Sequence, residues 1–437
     1  MGYSGSNKLN SFSEFDAGAA ALAADTFGTP VYVYDENLIL QKSRECLCMP
    51  NAFGLKVRYA MKANSNRTLL RLITDAGLHL DASSLNEVFR ARLAGVAYER
   101  IMLTTQETCQ GAARAELEKL IMQGLKYNVC SLQQLWLIGD FAQANGFDPG
   151  IRIHPGVGSG ESATRNTGDD YSCFGIHLSD LSEAHRYAEK KGIKFRHIHE
   201  HIGSGADSEM WRQNIDLELG IIEEYFPDAE VVCFGGGLKE ARMPGEHPAD
   251  VELLGFHAKG QIEDFYYRTG RKLKMEIEPG TYIVANSGYA VTRVLDKKST
   301  SRSNFIVTDG GMEINSRPLL YGSRHPIYII SGDGTHVKST EFDSITRDYE
   351  AVIAGKCCES GDCQTLDMDG HTVPRAVAEP ETGDIAIIGG VGAYCSSMAP
   401  FNYNSHTQIP EVLFTKEREL KLIRKRQTLE QMLANEV

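Results

Sequence analysis

The sequence predicts an α/β protein, a (β/α)8 TIM-type barrel followed by a C-terminal all-β domain. Three observations carry this. Between about residues 55 and 281, eight short apolar runs alternate with helix-like stretches. Beyond 281 the alternation stops and strand–turn–strand grammar takes over. The 437 residues also exceed what one ordinary core holds, so two domains are expected.

The barrel strands are expected in VRYAM, LHLDAS, RIMLTT, KYNVCS, GIRIHP, FRHIHEHI, EVVCFGG and KLKMEIE. Between them, NRTLLRLITDAG, SLNEVFRARLAG, SLQQLWLIGDFAQANG and LSEAHRYAEKKG read as helices, each running into the glycine that commonly stops one. A doubly wound open sheet would place a Gly-rich turn after its first strand, and KANSN stands there instead. In the second part, YIVANSGYAVTRVL, SNFIVTDGG, HPIYII, YEAVIAGKC, GDIAIIGG and EVLFTK read as strands. SGDGTHVKSTEFDSITRD reads as an exposed loop. KERELKLIRKRQ, near the C-terminus, reads as an amphipathic helix with a solvated basic face. The expected domains are an N-terminal segment over 1–35, whose PVYVYD joins the β domain, a barrel over 36–285, and a β domain with a C-terminal helix over 286–437.

A net charge of −13, from 45 basic and 58 acidic side chains, argues against a nucleic-acid partner, because no basic stripe stands ready to neutralise phosphates. No apolar run is long enough to span a bilayer, so no membrane role is expected. Ten cysteines without a framework, and no signal peptide, point to free thiols in a reducing cytoplasm. Cys357, Cys358 and Cys363 lack zinc-ligand spacing, and no metal is expected. The opening MGYSGS matches a short myristoylation pattern that reads as chance or a remnant.

Active sites of (β/α)8 barrels lie at the C-terminal strand ends. Here those ends carry Lys62, Asp81 with Ser83 and Ser84, Thr105, Ser131, His154, His201, Gly235–Gly237 and Glu278. Strand ends meet solvent and are polar for that reason alone, which accounts for Thr105 and Ser131. It does not account for Lys62, His201, the triple glycine and Glu278 together. Each of these has a role if the ligand is pyridoxal phosphate. A partly desolvated lysine can form a Schiff base. Gly235, Gly236 and Gly237 offer backbone N–H groups, unobstructed by Cβ atoms, to a phosphate. Glu278 can keep the pyridine nitrogen protonated. His201 can stack on the ring and Ser204 can reach the phosphate, while His154, His197 and His199 read as structural.

YAMKANSN, HIGSG, FGGGLK, EIEPG, RPLLYGSRHPI, CESGD and GAYCSSMAPFNYNS follow one another in an order that resembles the alanine-racemase-like class of pyridoxal-phosphate decarboxylases. Within that class they are most similar to the diaminopimelate decarboxylase family, over about residues 28–415. The resemblance implies a barrel plus β-domain fold, pyridoxal 5'-phosphate as cofactor, a small amino-acid substrate, and a homodimer with shared active sites. The implied reaction takes meso-2,6-diaminopimelate to L-lysine and CO2. Lys62 would be the Schiff-base lysine, Glu278 the partner of the ring nitrogen, and His201 the stacking residue. Ser204, Gly235, Gly236, Gly237, Gly280 and Tyr394 would surround the cofactor. Arg317 and Tyr321 would bind substrate, and Tyr394 would serve there as well. Cys358 would be the proton donor and Glu359 the contact to the substrate amine, both reaching in from the partner subunit. CESGD argues against a racemase. The alternatives are a decarboxylase of another basic amino acid or polyamine or siderophore precursor, and a non-catalytic cofactor-binding protein. Three positions depart from the family pattern: Thr281 stands for an arginine after EPG, Cys173 for a lysine and Cys130 for an aspartate. The first puts distal-group specificity in question.

Overall fold

The computed structural model describes residues 17–157, 167–168, 171–203, 208–342 and 348–437. It divides into two units. One comprises Leu40–Lys239 and Pro248–Ile283. The other comprises the residues up to Ile39, Glu240–His247 and Val284–Val437. Strand β1 (Val31–Asp35) belongs to the second unit.

The first unit contains β2 (Leu55–Ala60), β3 (His79–Ala82), β4 (Ile101–Thr104), β5 (Lys126–Val129), β6 (Gly150–His154), β7 (Ile176–His177), β8 (His197–His199), β9 (Val231–Cys233) and β10 (Lys274–Ile277). Among the described residues, eight of these pair in parallel around a closed ring, β2-β3-β4-β5-β6-β8-β9-β10 and back to β2, with β7 attached outside it to β6. The ring strands fall on the eight apolar runs expected. Local chemistry sets the helices between them. Asn66 caps Arg67–Asp75 by accepting the Thr68 N–H (2.9 Å). The Ser84 and Ser131 hydroxyls cap Leu85–Leu93 and Leu132–Asn145, each at 3.1 Å. Gly146, at φ 61°, ends the last of these in the left-handed conformation that glycine adopts without strain.

The barrel interior carries an ion pair. Arg58 grips Glu276 through Nε–Oε2 (2.7 Å) and Nη2–Oε1 (3.2 Å), and His197 Nε2 lies 3.0 Å from the same carboxylate. β8 and β10 are not neighbours in the ring, so His197 and Glu276 can meet only inside it. Arg58 and Glu276 are both 2% exposed, which makes their mutual satisfaction a condition of burying either.

The second unit contains β1, β11 (Gly288–Ser299), β12 (Asn304–Thr308), β13 (Ile327–Ile330), β14 (Val337–Thr340), β15 (Tyr349–Ala354), β16 (Arg375–Val377), β17 (Ile385–Gly389), β18 (Glu411–Phe414) and β19 (Leu420–Arg424). The main path is β14-β13-β17-β11-β1-β18-β19, and β12, β15 and β16 continue from β11. β1 sits at its centre, antiparallel to β11 (Val33 opposite Tyr289) and parallel to β18 (Val33 opposite Val412). The helix Ala17–Phe27 buries an alanine face against this sheet, with Ala20 and Ala23 packed near Val31, Val291 and Ile387.

Three expectations are corrected. KERELKLIRKRQ is not a helix: Leu420–Arg424 forms β19, a hairpin partner of β18, and a five-residue helix, Leu429–Leu433, follows. The Thr415–Glu419 turn, with Arg418 at φ 65°, offers this segment an open sheet edge, and pairing there outweighs its helical spacing. Within YIVANSG, Thr281–Val284 is a helical turn rather than strand, started by the Gly280 carbonyl accepting the Ile283 N–H. The expected loop over 331–348 contains β14. No helix among the described residues is long and apolar enough to cross a membrane.

Candidate active site

The ends of β2, β8, β9 and β10 bring Lys62, His201, the triple glycine and Glu278 to one rim of the barrel unit. Lys62 follows β2 in a single 3-10 turn, Met61–Ala63. That turn is pinned by the Ala60 N–H on Pro279 O (3.1 Å) and by the Tyr59 hydroxyl on Asn64 O (3.0 Å). The lysine side chain is exposed in the single chain. Its charge still favours ionised Asp81 and Glu278 and neutral His201.

Glu278 lies just beyond β10, 6% exposed. Burial opposes its ionisation, but His199, His201 and Lys62 hold its carboxyl at about 2. The His199 contact is a hydrogen bond, Nε2 to Oε2 at 2.9 Å, and Cys233 Sγ lies 3.4 Å from Oε1. His199, expected to be structural, is the direct hydrogen-bonded support of the acid. The available signal is its two-residue spacing from His197 on β8, which puts both on the same face. His201 is lowered well below its ordinary range, first by desolvation and then by Lys62, Arg152 and His199. Its Nδ1 accepts the Gly236 N–H (3.2 Å), which requires a neutral ring with the proton on Nε2. Burial, and then the charge of Glu278, push Asp81 well above its ordinary value, with Lys62 acting the other way.

The triple glycine has a steric reason beyond the one expected. A Cβ on Gly235 would lie 2.3 Å from Glu200 O, and one on Gly236 would lie 2.5 Å from Glu278 O, so only glycine lets the end of β9 pass its neighbours. The Gly236 N–H is committed to His201. Gly237, at φ 92°, extends the same cradle. Gly280 is buried at the start of the helical turn that Thr281 opens. Ser204 lies outside the described residues. An ionised carboxylate, an exposed primary amine and a neutral imidazole at a glycine-lined rim are the donor set that pyridoxal phosphate needs for its ring nitrogen, its aldehyde and its ring face.

The β unit holds the remaining expected residues. Arg317 opens the short helix Arg317–Tyr321, is 1% exposed, and lies over the Tyr321 ring at 5.5 Å. Its Nη2 donates to Ser323 Oγ (3.2 Å), and its Nε has no hydrogen-bond partner among the described residues. Tyr394 is half-buried with φ 57°, an unusual backbone state for a residue with a side chain. Cys358 and Glu359 are exposed on the turn after β15. Asn404 Oδ1 accepts the Cys358 N–H (2.7 Å), and the Glu359 carboxylate is lowered by Gly361 N–H, Ser360 and Tyr403. Asp362 organises that turn by accepting the N–H groups of Cys357 (2.6 Å) and Met312 (2.5 Å).

The family described as pyridoxal-dependent decarboxylase, pyridoxal binding domain, matches residues 41–285. The chain is 34% identical to the diaminopimelate decarboxylase of Escherichia coli K12, over 94% of both chains. It is similar to a crystal structure of diaminopimelate decarboxylase, with a TM-score of 0.85, 32% identity and 96% of each chain covered. It is also similar to the Helicobacter pylori diaminopimelate decarboxylase complexed with L-lysine, with a TM-score of 0.76, 28% identity, and 94% of this chain and 97% of that one covered.

Proposed function

Because this chain belongs to the family of pyridoxal-dependent decarboxylases, we propose that it decarboxylates meso-2,6-diaminopimelate to L-lysine and CO2. Pyridoxal phosphate, when bound, supplies a ring that takes up the electron pair released as CO2 departs. The chain's own residues do the rest. Lys62 tethers the cofactor through its ε-amine. Glu278, kept ionised at about 2, holds the proton on the ring nitrogen. His201, a neutral ring, covers one face without adding a competing charge. Gly235, Gly236, Gly237 and Gly280 leave room for the phosphate end, with Tyr394 and Ser204 contributing to it. One Cα–carboxylate bond breaks and one C–H bond forms. An L-lysine product means that the D-centre of the meso substrate reacts and the L-centre is kept.

Cys358 is the donor of that proton, and Glu359 takes the substrate amine. Both serve the site of a partner subunit in a homodimer. Exposure of both side chains in the single chain suits residues that act in another subunit's site. All ten thiols are free, in keeping with a reducing cytoplasm.

The observation that carries the substrate reading is Arg317. A guanidinium 1% exposed, with its Nε unpartnered, calls for an anion, and the second carboxylate of diaminopimelate supplies one. Thr281 favours the second reading, another basic amino acid or a polyamine precursor, because it removes a cation from the family pattern. The test is kcat/KM for meso-diaminopimelate against D- and L-lysine and D- and L-ornithine. A preference for any substrate lacking the second carboxylate overturns the first reading.

A further inference from the structure

Strands β12 and β15 of the second unit are parallel neighbours, with Val307 opposite Ala354. The chain therefore leaves both at the same end of the sheet. After β12 come residues 310–315. After β15 comes a turn closed by the Gly355 N–H on Asp362 O (2.9 Å). There Glu313, Cys357 and Asp362 bring one carboxylate oxygen each and a thiol within 4.8 Å of one another. Cys357 Sγ lies 3.6 Å from Glu313 Oε2, across 44 residues of sequence. Strand pairing joins these groups, so no spacing motif marks them.

The surrounding backbone is fitted to this cluster. The two oxygens of Asp362 accept the N–H groups of Cys357 (2.6 Å) and Met312 (2.5 Å), and Glu313 Oε2 accepts the Gly311 N–H (2.8 Å). A Cβ on Gly311 or on Gly355 would overlap the Asp362 carboxylate, so both glycines make room for it. These N–H groups orient the acids and still leave each oxygen a lone pair. The Glu313 side chain is 6% exposed, and its Oε1 has no hydrogen-bond partner among the described residues. Lys356 Nζ, 4.0 Å from that oxygen, is too far to donate to it. Burial, then the charges of Glu313 and Asp362, push the Cys357 thiol up, with Lys356 acting the other way. Burial and Asp362 raise Glu313 against the Gly311 N–H, its own N–H and Lys356. Burial and Lys356 favour neutral His406 despite Asp362. Two acids and a thiol thus face one another with a single distant lysine beside them.

We propose that Glu313, Cys357 and Asp362 form a binding site for a divalent metal ion of the zinc class. With metal–sulfur and metal–oxygen bonds of about 2.3 and 2.1 Å, a tetrahedral ion holds its sulfur and oxygen ligands about 3.6 Å apart, which matches the Cys357–Glu313 separation. A thiolate beside two carboxylates suits Zn2+ or Co2+ and not the oxygen-bound Mg2+ or Ca2+. Binding exchanges the thiol proton, released to solvent, for a sulfur–metal bond. Cys357 is half-buried, so water can take the fourth position. The ion ties the turn that carries Cys358 and Glu359 to the end of β12. Other clusters among the described residues are less suited. His197 with Cys233 and Glu276, and His199 with Cys233 and Glu278, share one thiol, and their acids are engaged by Arg58 and by His199. Asp367, Asp369 and His371 lie on an open turn with no buried orphan atom. The site stands whatever the substrate of the enzyme.

The experiment titrates the holoenzyme, first stripped of metal by a chelator, with Co2+ and then with Zn2+, reading difference spectra against the cobalt-free holoenzyme. Wild type should show a thiolate-to-Co2+ charge-transfer band in the near ultraviolet and the intense visible bands of four-coordination, and Zn2+ should abolish both. Cys357→Ser should lose the charge-transfer band and weaken Zn2+ binding by more than about a hundredfold, beyond the cost of losing a residue that only supports a ligand. Glu313→Gln, nearly the same shape, should keep the band and weaken Zn2+ binding by at least about tenfold. Cys358→Ser should keep both band and affinity. Zn2+ should raise the thermal midpoint of wild type and of Cys358→Ser but not of Cys357→Ser. Absence of a thiolate band in wild type, a band that survives in Cys357→Ser or vanishes in Cys358→Ser, or an unchanged Zn2+ affinity in Glu313→Gln would each overturn the assignment. If Cys357→Ser fails to fold, the wild-type spectrum and Glu313→Gln decide it.

Discussion

Glu200 should make the enzyme less stable as pH rises. It precedes His201, is fully buried, and neither of its carboxylate oxygens has a hydrogen-bond partner among the described residues. Glu218, from the helix Ser208–Tyr225, is in the same state. Burial raises Glu200 to about 8, and raises Glu218 well above the carboxylate range with help from the charge of Glu200. A carboxyl raised in the folded state keeps its proton where the unfolded chain has released it. Its contribution is therefore complete below about pH 4.5, declines as pH rises, and is fully lost above about 8. At 1.36 kcal/mol per pH unit, Glu200 alone costs about 5 kcal/mol across that window, of which about 3 kcal/mol falls between pH 5.5 and 8.5. Glu200→Gln is neutral at every pH and nearly the same shape. Urea unfolding of the whole holoenzyme at pH 5.5 and 8.5, followed by fluorescence of buried Trp211, reads the difference. The variant should gain about 3 kcal/mol on wild type between the two conditions. Parallel behaviour within about 1 kcal/mol would mean that Glu200 is ionised in the native state, and the reasoning fails.

Lys62→Ala should lose the visible absorption of the bound cofactor and nearly all turnover, and mass spectrometry after borohydride reduction of wild type should place the pyridoxyl adduct on Lys62; an adduct on another lysine refutes the assignment. Mixing inactive Lys62→Ala with inactive Cys358→Ala under subunit exchange should restore about a quarter of wild-type activity, since half the dimers are mixed and each has one intact site. No recovery despite proven exchange would show that both residues act within one chain. Glu276→Ala strands buried Arg58 and His197 without their acid and should destabilise the protein by about 3–5 kcal/mol in urea titrations, whereas a loss under 1 kcal/mol would mean the pair is not satisfied as described.

The barrel was legible because its strands are short apolar runs, several of them bounded by a capping residue or a glycine stop. Asn66, Ser84, Ser131 and Gly146 do in the structure what their positions announce. The β unit was less so. Arg375–Val377 is three residues long and Val337–Thr340 alternates among polar residues, so neither carries a hydrophobic signature. β19 has apolar residues at a spacing that suits either a helix or a strand, and only the free edge of β18 decides between them. At the site, Lys62, His201 and Glu278 stood out because charge at the end of an apolar strand is anomalous. His199 did not, because a histidine inside a strand has many bland uses.

The central place of β1 has a consequence for biosynthesis. Its fully buried VYVYD stretch leaves the ribosome early, yet Val291 is translated about 260 residues after Val31, and Val412 later still. At about 5–20 residues per second, β1 waits on the order of ten seconds or more for its first partner, with the whole barrel emerging in between. Through that interval a strand with both edges unpaired, with only the helix Ala17–Phe27 to cover one face, is attached to the nascent chain. Productive synthesis therefore depends on a chaperone shielding β1, or on the barrel folding first and keeping the tether short. Slowing elongation across residues 40–283 should lower soluble yield more than the same delay after Phe414.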